Sequence, residues 1–210
     1  MFKVINWIVV SRSQMLSDLL DTRWPQEFLV KLVKVTPEQV ETEIKEGVFS
    51  LVVIDLSTVD VQKAYQIQRY VEKEYAARVV FLHYPKLIDA RFLIHPTVTA
   101  GIFYSDASLE EVGEGLGNIL RGKSVIPAQL TQPNSDDLVS VEGSDNLTIR
   151  EREVLQALLS GSTNVDIANQ LFVSESTIKT HLYRAFRKIG VSSRGQAIAW
   201  AQTHLHEVHQ

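Results

Sequence analysis

The last third of the chain carries the feature that most constrains its fold, a series of start and stop signals for short helices. Thr148, Thr163 and Ser174 each precede an apolar pattern with helical spacing, and a hydroxyl at that position can accept a backbone N–H of the first turn. Gly190 then ends the third helix. Because only residues 172–173 separate the second predicted helix from the third, the pattern predicts a helix-turn-helix unit.

The third predicted helix, from Ser174 to Lys188, combines an apolar stripe with a cationic face. From residue 174 to residue 190 four Lys or Arg side chains stand against one acid, Glu175, so the local charge is +3. A basic helix fits the major groove of DNA. A solvated surface helix is the plainer alternative, but the caps, the turn and the charge together favour DNA binding. The predicted stripe is Ile178, Leu182, Ala185, Phe186 and Ile189. The predicted DNA-binding residues, expected to be available to a partner, are Thr177, Lys179, Thr180, His181, Tyr183, Arg184, Arg187 and Lys188.

Three stretches of this region resemble the LuxR/NarL-type transcription factors: residues 147–155, 161–182 and 186–190. The resemblance implies that the helix from Ser174 to Lys188 is the recognition helix. It also implies a last helix, about Ser193 to Thr203, that supports the recognition helix and lies at a dimer contact. The expected partners are therefore double-stranded promoter DNA and a second copy of the chain, with RNA polymerase as a further possible partner.

Length and composition fit two domains in a cytoplasmic protein. The chain has 210 residues and a formal net charge of −4. It has no cysteine, which excludes disulfides, thiol catalysis and zinc bound by cysteine. No apolar run approaches the roughly 20 residues of a membrane span, and the first ten residues lack the features of a secretion signal. The charge divides into −5 for residues 1–144 and +1 for residues 145–210, so the cations are concentrated locally.

The N-terminal part alternates strand and helix signals, which predicts an α/β fold, a doubly wound five-stranded parallel sheet. The C-terminal part is expected to form a small all-α domain of four helices. We expect domains at residues 1–125 and 146–210, joined by a polar linker at 126–145 that contains Pro127 and Pro133. The predicted strands are 4–10, 28–35, 51–56, 78–82 and 99–104. The predicted helices are about 15–20, 37–46, 59–75 and 108–120, with a short element near 86–93.

The predicted sheet resembles the receiver domain of two-component signalling. Asp55 ends the third strand, where that family places its phosphate-accepting aspartate. Residues 11–12 are Ser-Arg where receivers carry acidic magnesium ligands, and Arg12 would oppose a metal ion. Residues 83–84 are His-Tyr in place of a Thr or Ser, and Ser105 replaces a lysine. These departures predict a pseudo-receiver in which Asp55 caps the following turn. Phosphorylation at Asp55 stays open as the alternative.

Other candidate sites have little support, so no enzyme activity and no metal site are predicted. His181, His204, His206 and His209 lack a spacing that would place them together as metal ligands. The alternating glycines at 113, 115 and 117 fall within a predicted helix, whereas a phosphate-binding loop follows a strand. These glycines are interpreted as positions of close helix packing or of local helix weakness.

Residues 101–123, 164–182 and 196–201 resemble the CsgD/VpsT subgroup of these regulators, which controls biofilm matrix genes. Some of its members bind cyclic di-GMP through an aromatic residue, an apolar residue, Thr or Ser, and Arg just after the helix that corresponds to residues 108–120 here. The corresponding stretch here, 125–128, is Val-Ile-Pro-Ala and offers neither a stacking ring nor a guanidinium. No cofactor is therefore predicted, although Arg121 and Lys123 could serve as substitute phosphate ligands.

The sequence thus predicts a dimeric, sequence-specific transcriptional regulator that acts without aspartyl phosphorylation, on genes for biofilm matrix, exopolysaccharide or curli-type products. Three alternatives remain. The chain could be a response regulator phosphorylated at Asp55, or a regulator that responds to cyclic di-GMP. It could also be a protein-interaction module whose basic helix docks on an acidic protein surface, a possibility that weak dependence on salt and sequence would favour.

Overall fold

The computed structural model describes residues 4–21, 29–86, 90–131 and 147–205. The chain divides into two compact units, the first ending at residue 131 and the second beginning at residue 132, except that residues 88–92 belong to the second. The expected linker at 126–145 lies mostly outside the described residues. Its described part contains a single helical turn, α5, Ala128–Thr131.

The first unit is built on one five-stranded parallel sheet, which confirms the predicted fold class. Its strands are β1 (Val4–Val10), β2 (Leu29–Val35), β3 (Leu51–Asp55), β4 (Arg78–Tyr84) and β5 (Thr99–Tyr104). They lie in the order β2-β1-β3-β4-β5, with every neighbouring pair parallel. All five residues of β3 are buried, as expected for a central strand covered on both faces. The carboxyl ends of β1, β3 and β4 therefore meet at one edge, where Asp55 lies.

Helices α1 (Gln14–Asp21), α2 (Val40–Glu46), α3 (Val61–Glu74) and α4 (Leu109–Leu120) flank the strands, and a 3₁₀ turn, Arg91–Leu93, lies between β4 and β5. The helix expected to open at Pro37 begins only at Val40. The backbone N–H of Gln39 donates to the Thr36 carbonyl at 3.0 Å, and the Thr36 N–H donates to the Gln39 side chain at 3.0 Å. These two bonds close a turn that precedes the helix.

Helix α4 packs unusually close to β5 because glycine faces the strand. A Cβ added at Gly115 would lie 2.4 Å from the Phe103 ring, and one added at Gly101 would lie 2.6 Å from the Ile119 side chain. Both distances are shorter than any real contact between carbon atoms. The prediction that this run of glycines marks close helix packing is confirmed at Gly115.

The described part of the second unit contains four short helices, of which the first three begin at the predicted caps Thr148, Thr163 and Ser174. They are α6 (Ile149–Leu159), α7 (Asn164–Leu171), α8 (Glu175–Ile189) and α9 (Arg194–His204). Thr148 and Thr163 each form a reciprocal capping box, with Glu151 and Asp166 respectively. Small residues at positions 197 and 201 of α9 are wholly buried, so they belong to the core of this unit. No helix among the described residues is long and apolar enough to cross a membrane.

Candidate nucleic-acid interface and the Asp55 site

Helix α8 begins and ends where its capping residues dictate. The Ser174 hydroxyl accepts the backbone N–H of Thr177 at 3.1 Å, and Gly190 ends the helix in the left-handed conformation with φ 78°. Four of the five predicted stripe residues are buried, and Ile189 is half-buried. The structure therefore presents a 15-residue helix with its apolar face anchored in the domain.

The predicted DNA-binding residues divide into two groups by exposure. Lys188 is exposed, and the half-buried members are Thr177, Lys179, His181, Arg184 and Arg187. Thr180 and Tyr183 are instead buried, with 2% and 6% of their surface exposed, so the expectation that they lie outside the buried stripe is wrong. The Thr180 hydroxyl donates back to the Ser176 carbonyl at 3.1 Å, and the Tyr183 ring packs edge-on against Phe186 at 5.7 Å between centroids.

Two predicted DNA-binding cations already have carboxylate partners. Lys179 lies 2.9 Å from Glu175, one helical turn earlier on the exposed surface. Lys188 lies 2.8 Å from Glu151, whose side chain is 3% exposed. Glu151 therefore accepts from both the Thr148 backbone and Lys188, and it links the start of α6 to the end of α8. The sequence predicted the capping role of Glu151, but it did not predict the ion pair with Lys188, which lies 37 positions away.

Arg194 is a second residue whose role the sequence did not reveal. From the first turn of α9, its guanidinium donates to the Asn164 side chain at 3.0 Å and to the Ser162 carbonyl at 2.5 Å. It thereby holds α9 against the start of α7. A charge pattern alone would have assigned this arginine to DNA, because only the fold shows that its donors point inward.

Asp55 is fully buried at the end of β3, where both carboxylate oxygens accept hydrogen bonds. Oδ1 accepts from the Ser57 backbone at 3.0 Å, from the Ser57 hydroxyl at 2.6 Å and from His83 Nδ1 at 2.7 Å. Oδ2 accepts from the Ser11 hydroxyl at 2.6 Å and from the Thr58 hydroxyl at 3.0 Å. Because an ionised carboxylate only accepts, His83 must carry its proton on Nδ1.

The hydrogen bonds keep Asp55 ionised despite its burial. Burial alone raises the pKa of the carboxyl group, but the bonds from Ser11, Ser57 and His83 outweigh that effect and lower the pKa below its usual value. His83 also has φ 54°, an uncommon backbone conformation for a residue other than glycine. The turn after β3 is thus closed by the Asp55 side chain, the arrangement expected of a capping carboxylate.

The surroundings of Asp55 differ from a magnesium site. Arg12 donates to the Thr58 carbonyl at 2.7 Å and pairs with Glu38 at 2.5 Å, so its charge is directed into a surface ion pair. Within the described residues there is no group of three or more His, Asp or Glu side chains that could hold a metal ion. Ser105, at the position expected for a lysine, is exposed just after β5.

Of residues 125–128, the stretch that corresponds to the nucleotide-binding motif, Val125 forms an isolated parallel bridge to Gly101 of β5 and Ala128 begins α5. The backbone N–H of Val125 donates to the Ala100 carbonyl at 2.9 Å, and the Val125 carbonyl accepts from Ile102 at 2.8 Å. Arg121 and Lys123, the two possible substitute phosphate ligands, lie exposed in the turn that follows α4.

Comparison with known proteins agrees with this architecture. Residues 145–201 match the family described as "Bacterial regulatory proteins, luxR family". The chain is 33% identical over 165 residues to the CsgBAC operon transcriptional regulatory protein of Escherichia coli K12, covering 74% of each chain. It is 43% identical over 110 residues, half of each chain, to the probable csgAB operon transcriptional regulatory protein of Salmonella typhimurium.

A solved structure of RcsB from Salmonella enterica serovar Typhimurium, bound to a promoter, has a similar fold. The TM-score is 0.54 at 16% sequence identity, over 93% of this chain and 97% of that one. The luxR family match and the two csg-operon regulators confirm the predicted resemblance to LuxR/NarL-type regulators and to the CsgD subgroup. With a receiver-like parallel sheet followed by a helix-turn-helix domain, the chain belongs to the LuxR family of bacterial regulatory proteins and is a DNA-binding transcriptional regulator of the LuxR/NarL type.

Proposed function

We propose that this regulator controls genes for biofilm matrix, exopolysaccharide or curli-type products, and that it does so as a dimer without aspartyl phosphorylation. The matrix assignment is supported by the two csg-operon regulators that the chain resembles. A genome-wide occupancy map, followed by footprinting of one bound promoter, tests it. Binding confined to genes unrelated to surface structures would contradict the matrix assignment and leave the regulator assignment intact.

The proposal that the regulator acts without aspartyl phosphorylation rests on one observation, the set of five hydrogen bonds that Asp55 accepts. Phosphoryl transfer to a carboxylate requires an oxygen that can attack phosphorus and cations that neutralise the incoming charge. At Asp55 both oxygens already accept hydrogen bonds, from Ser11, Ser57, Thr58 and His83, and residues 11–12 supply no carboxylate for magnesium. We infer that Asp55 is a structural residue whose ionised form holds together the carboxyl ends of three strands.

Treatment with acetyl phosphate and magnesium, followed by intact mass measurement, tests this inference. The expected mass is that of the unmodified chain, both for the parent and for an Asp55→Asn variant. A magnesium-dependent gain of one phosphoryl group that disappears in Asp55→Asn would establish the phosphorylated response regulator instead. A gain that persists in the variant would show modification at some other residue.

DNA contact is assigned to the exposed and half-buried polar side chains of α8. Lys179, Arg184 and Arg187 supply cationic groups for phosphates or guanines, while Thr177 and His181 supply neutral donors and acceptors. Thr180 and Tyr183 remain proposed contacts, and they require a local rearrangement because both are buried. Titration of specific and nonspecific duplexes at several salt concentrations separates this function from docking on an acidic protein, since only DNA binding depends on base sequence.

Dimerisation and ligand response are tested together. We propose a homodimer that forms without nucleotide, because residues 125–128 offer no stacking ring or guanidinium. Sedimentation of the purified protein should show a dimer, and calorimetry should show no cyclic di-GMP binding at micromolar concentration. A monomer that dimerises only with the nucleotide would overturn both statements and establish the cyclic di-GMP-responsive regulator.

A further inference from the structure

We propose that Phe172 contacts DNA by packing against the 5-methyl group of a thymine, and that it thereby helps to determine which sites are bound. This inference rests on the proposed DNA contact of α8. Phe172 is 95% exposed, more than any other large apolar side chain in the described part of the chain. It is the first of the two residues of the turn, and it lies two positions before Ser174, the cap of α8.

The backbone at Phe172 is unusual for an aromatic residue. Its φ of 54° and ψ of 42° lie in the left-handed region, where glycine or asparagine is accommodated with less steric conflict. The position is nevertheless well fixed, because the backbone N–H groups of Phe172 and Val173 both donate to the Ala168 carbonyl. A ring in this turn contributes nothing to the core of the domain. Its exposure leaves it available for contact with another molecule.

The location of the turn identifies that molecule as DNA. Helix-turn-helix proteins place the N-terminal residues of the second helix against base edges in the major groove. Ser176 and Thr177, in the first turn of α8, are half-buried and polar, as base-edge contacts require. Because Phe172 lies two positions before the cap of this helix, its side chain would lie beside the same groove when the helix is bound.

The small extent of apolar surface around the ring favours a single methyl group over a protein surface. Apart from Val173, which is 37% exposed, the nearest exposed neighbours along the chain are polar: Asn169, Gln170, Ser174 and Glu175. A docking site for another protein is ordinarily a contiguous apolar patch, which these side chains would interrupt. In the major groove, by contrast, the thymine methyl is a discrete apolar group among hydrogen-bonding atoms, and phenylalanine is one of the side chains suited to it.

The test uses the full-length protein and a duplex selected by it from a randomised library. Each thymine of that duplex is replaced in turn by deoxyuridine, which removes only the methyl group. One replacement should weaken binding of the parent by about fourfold, the effect of leaving one methyl group unburied. The same replacement should leave the affinity of Phe172→Ala and Phe172→Asn unchanged. Both variants should bind the thymine duplex about fourfold more weakly than the parent.

Phe172→Asn controls for folding, because asparagine tolerates the left-handed conformation and should keep or raise the melting temperature. Identical deoxyuridine profiles for the parent and Phe172→Ala would overturn the proposal. An equal loss on thymine and deoxyuridine duplexes would also overturn it and indicate contact with the sugar-phosphate backbone. Unchanged DNA affinity with lost promoter activation would overturn it in favour of a protein partner. If the parent selects no preferred sequence, the proposed DNA contact of α8 fails instead.

Discussion

At the scale of single residues, Asp55 shows how a carboxylate can be retained at a signalling position for structural reasons. Its partners come from three separate parts of the chain: Ser11 after β1, Ser57 and Thr58 in the following turn, and His83 in β4. Since each of these donors is directed at the same carboxylate, removal of the carboxylate leaves several polar groups without an acceptor at once.

We predict that Asp55→Ala lowers the free energy of unfolding by about 2–4 kcal/mol, because buried donors left unsatisfied destabilise the folded state. The matched control is Asp60→Ala, which removes an exposed cap that accepts from Gln62 and Lys63 and should lower it by only about 1 kcal/mol. Urea unfolding measures both. Equal stabilities for Asp55→Ala and the parent would show that the network contributes nothing.

The lowered pKa of Asp55 gives a pH dependence with a definite sign. A carboxyl group whose pKa is lower in the folded state stabilises that state at pH values above its unfolded pKa, and the contribution disappears as the pH falls through the folded value. We therefore expect the parent to lose stability as the pH falls below about 4. The corresponding slope should be shallower for Asp55→Asn. Parallel pH profiles of the two melting temperatures would contradict this assignment of the acid transition.

At the scale of secondary-structure elements, the recognition helix is held at its C-terminal end by an ion pair with α6. Glu151 is 2% exposed and has two partners, the Thr148 backbone and Lys188. Lys179, in contrast, pairs with exposed Glu175 within its own helix. Two lysines of one helix thus carry the same charge but have different structural roles.

Replacing each lysine by methionine separates these roles. Lys188→Met leaves a buried carboxylate without its cation and should lower the free energy of unfolding by about 1–3 kcal/mol. Lys179→Met loses an exposed pair worth about 0.3–0.5 kcal/mol, so the fold is kept while one phosphate contact is lost. The slope of log affinity against log salt should then fall by about one. Equal DNA affinity of Lys179→Met and the parent at low salt would remove Lys179 from the interface.

The difference between contacts within one helix and contacts between distant elements explains which features the sequence alone could predict. The caps at Thr148 and Thr163 join residues three positions apart, and the strands consist of continuous apolar runs. Both features can therefore be predicted from a short stretch of sequence. The Glu151–Lys188 pair spans 37 positions and the Ser11–Asp55 bond spans 44, so these depend on tertiary packing. The burial of Thr180 and Tyr183 was missed because helical spacing defines the centre of an apolar stripe better than its edges.

At the scale of the whole molecule, the distribution of charge along the chain matters more for DNA binding than the total net charge. The chain as a whole has a net charge of −4, although residues 145–210 are slightly basic. A surplus of acidic groups elsewhere opposes binding to arbitrary phosphate backbones. Affinity for a promoter must then come from contacts that one small domain supplies in limited number, and two copies on one DNA molecule would double that number.

Dimeric binding predicts a dependence on the spacing of half-sites. Two recognition helices related by a twofold axis enter successive major grooves on one face of the duplex, about 10 base pairs apart. Inserting five base pairs between the half-sites of a footprinted promoter turns one half-site to the opposite face, so affinity should fall to that of a single half-site. Inserting ten restores the face but lengthens the span, so binding should recover only if the two domains can separate by one further helical turn.

Fluorescence anisotropy across the spacing series measures the effect, with a duplex that keeps one intact half-site as the control. Affinity that is insensitive to all insertions, and equal to that of the single half-site, would show that the chain binds DNA as a monomer.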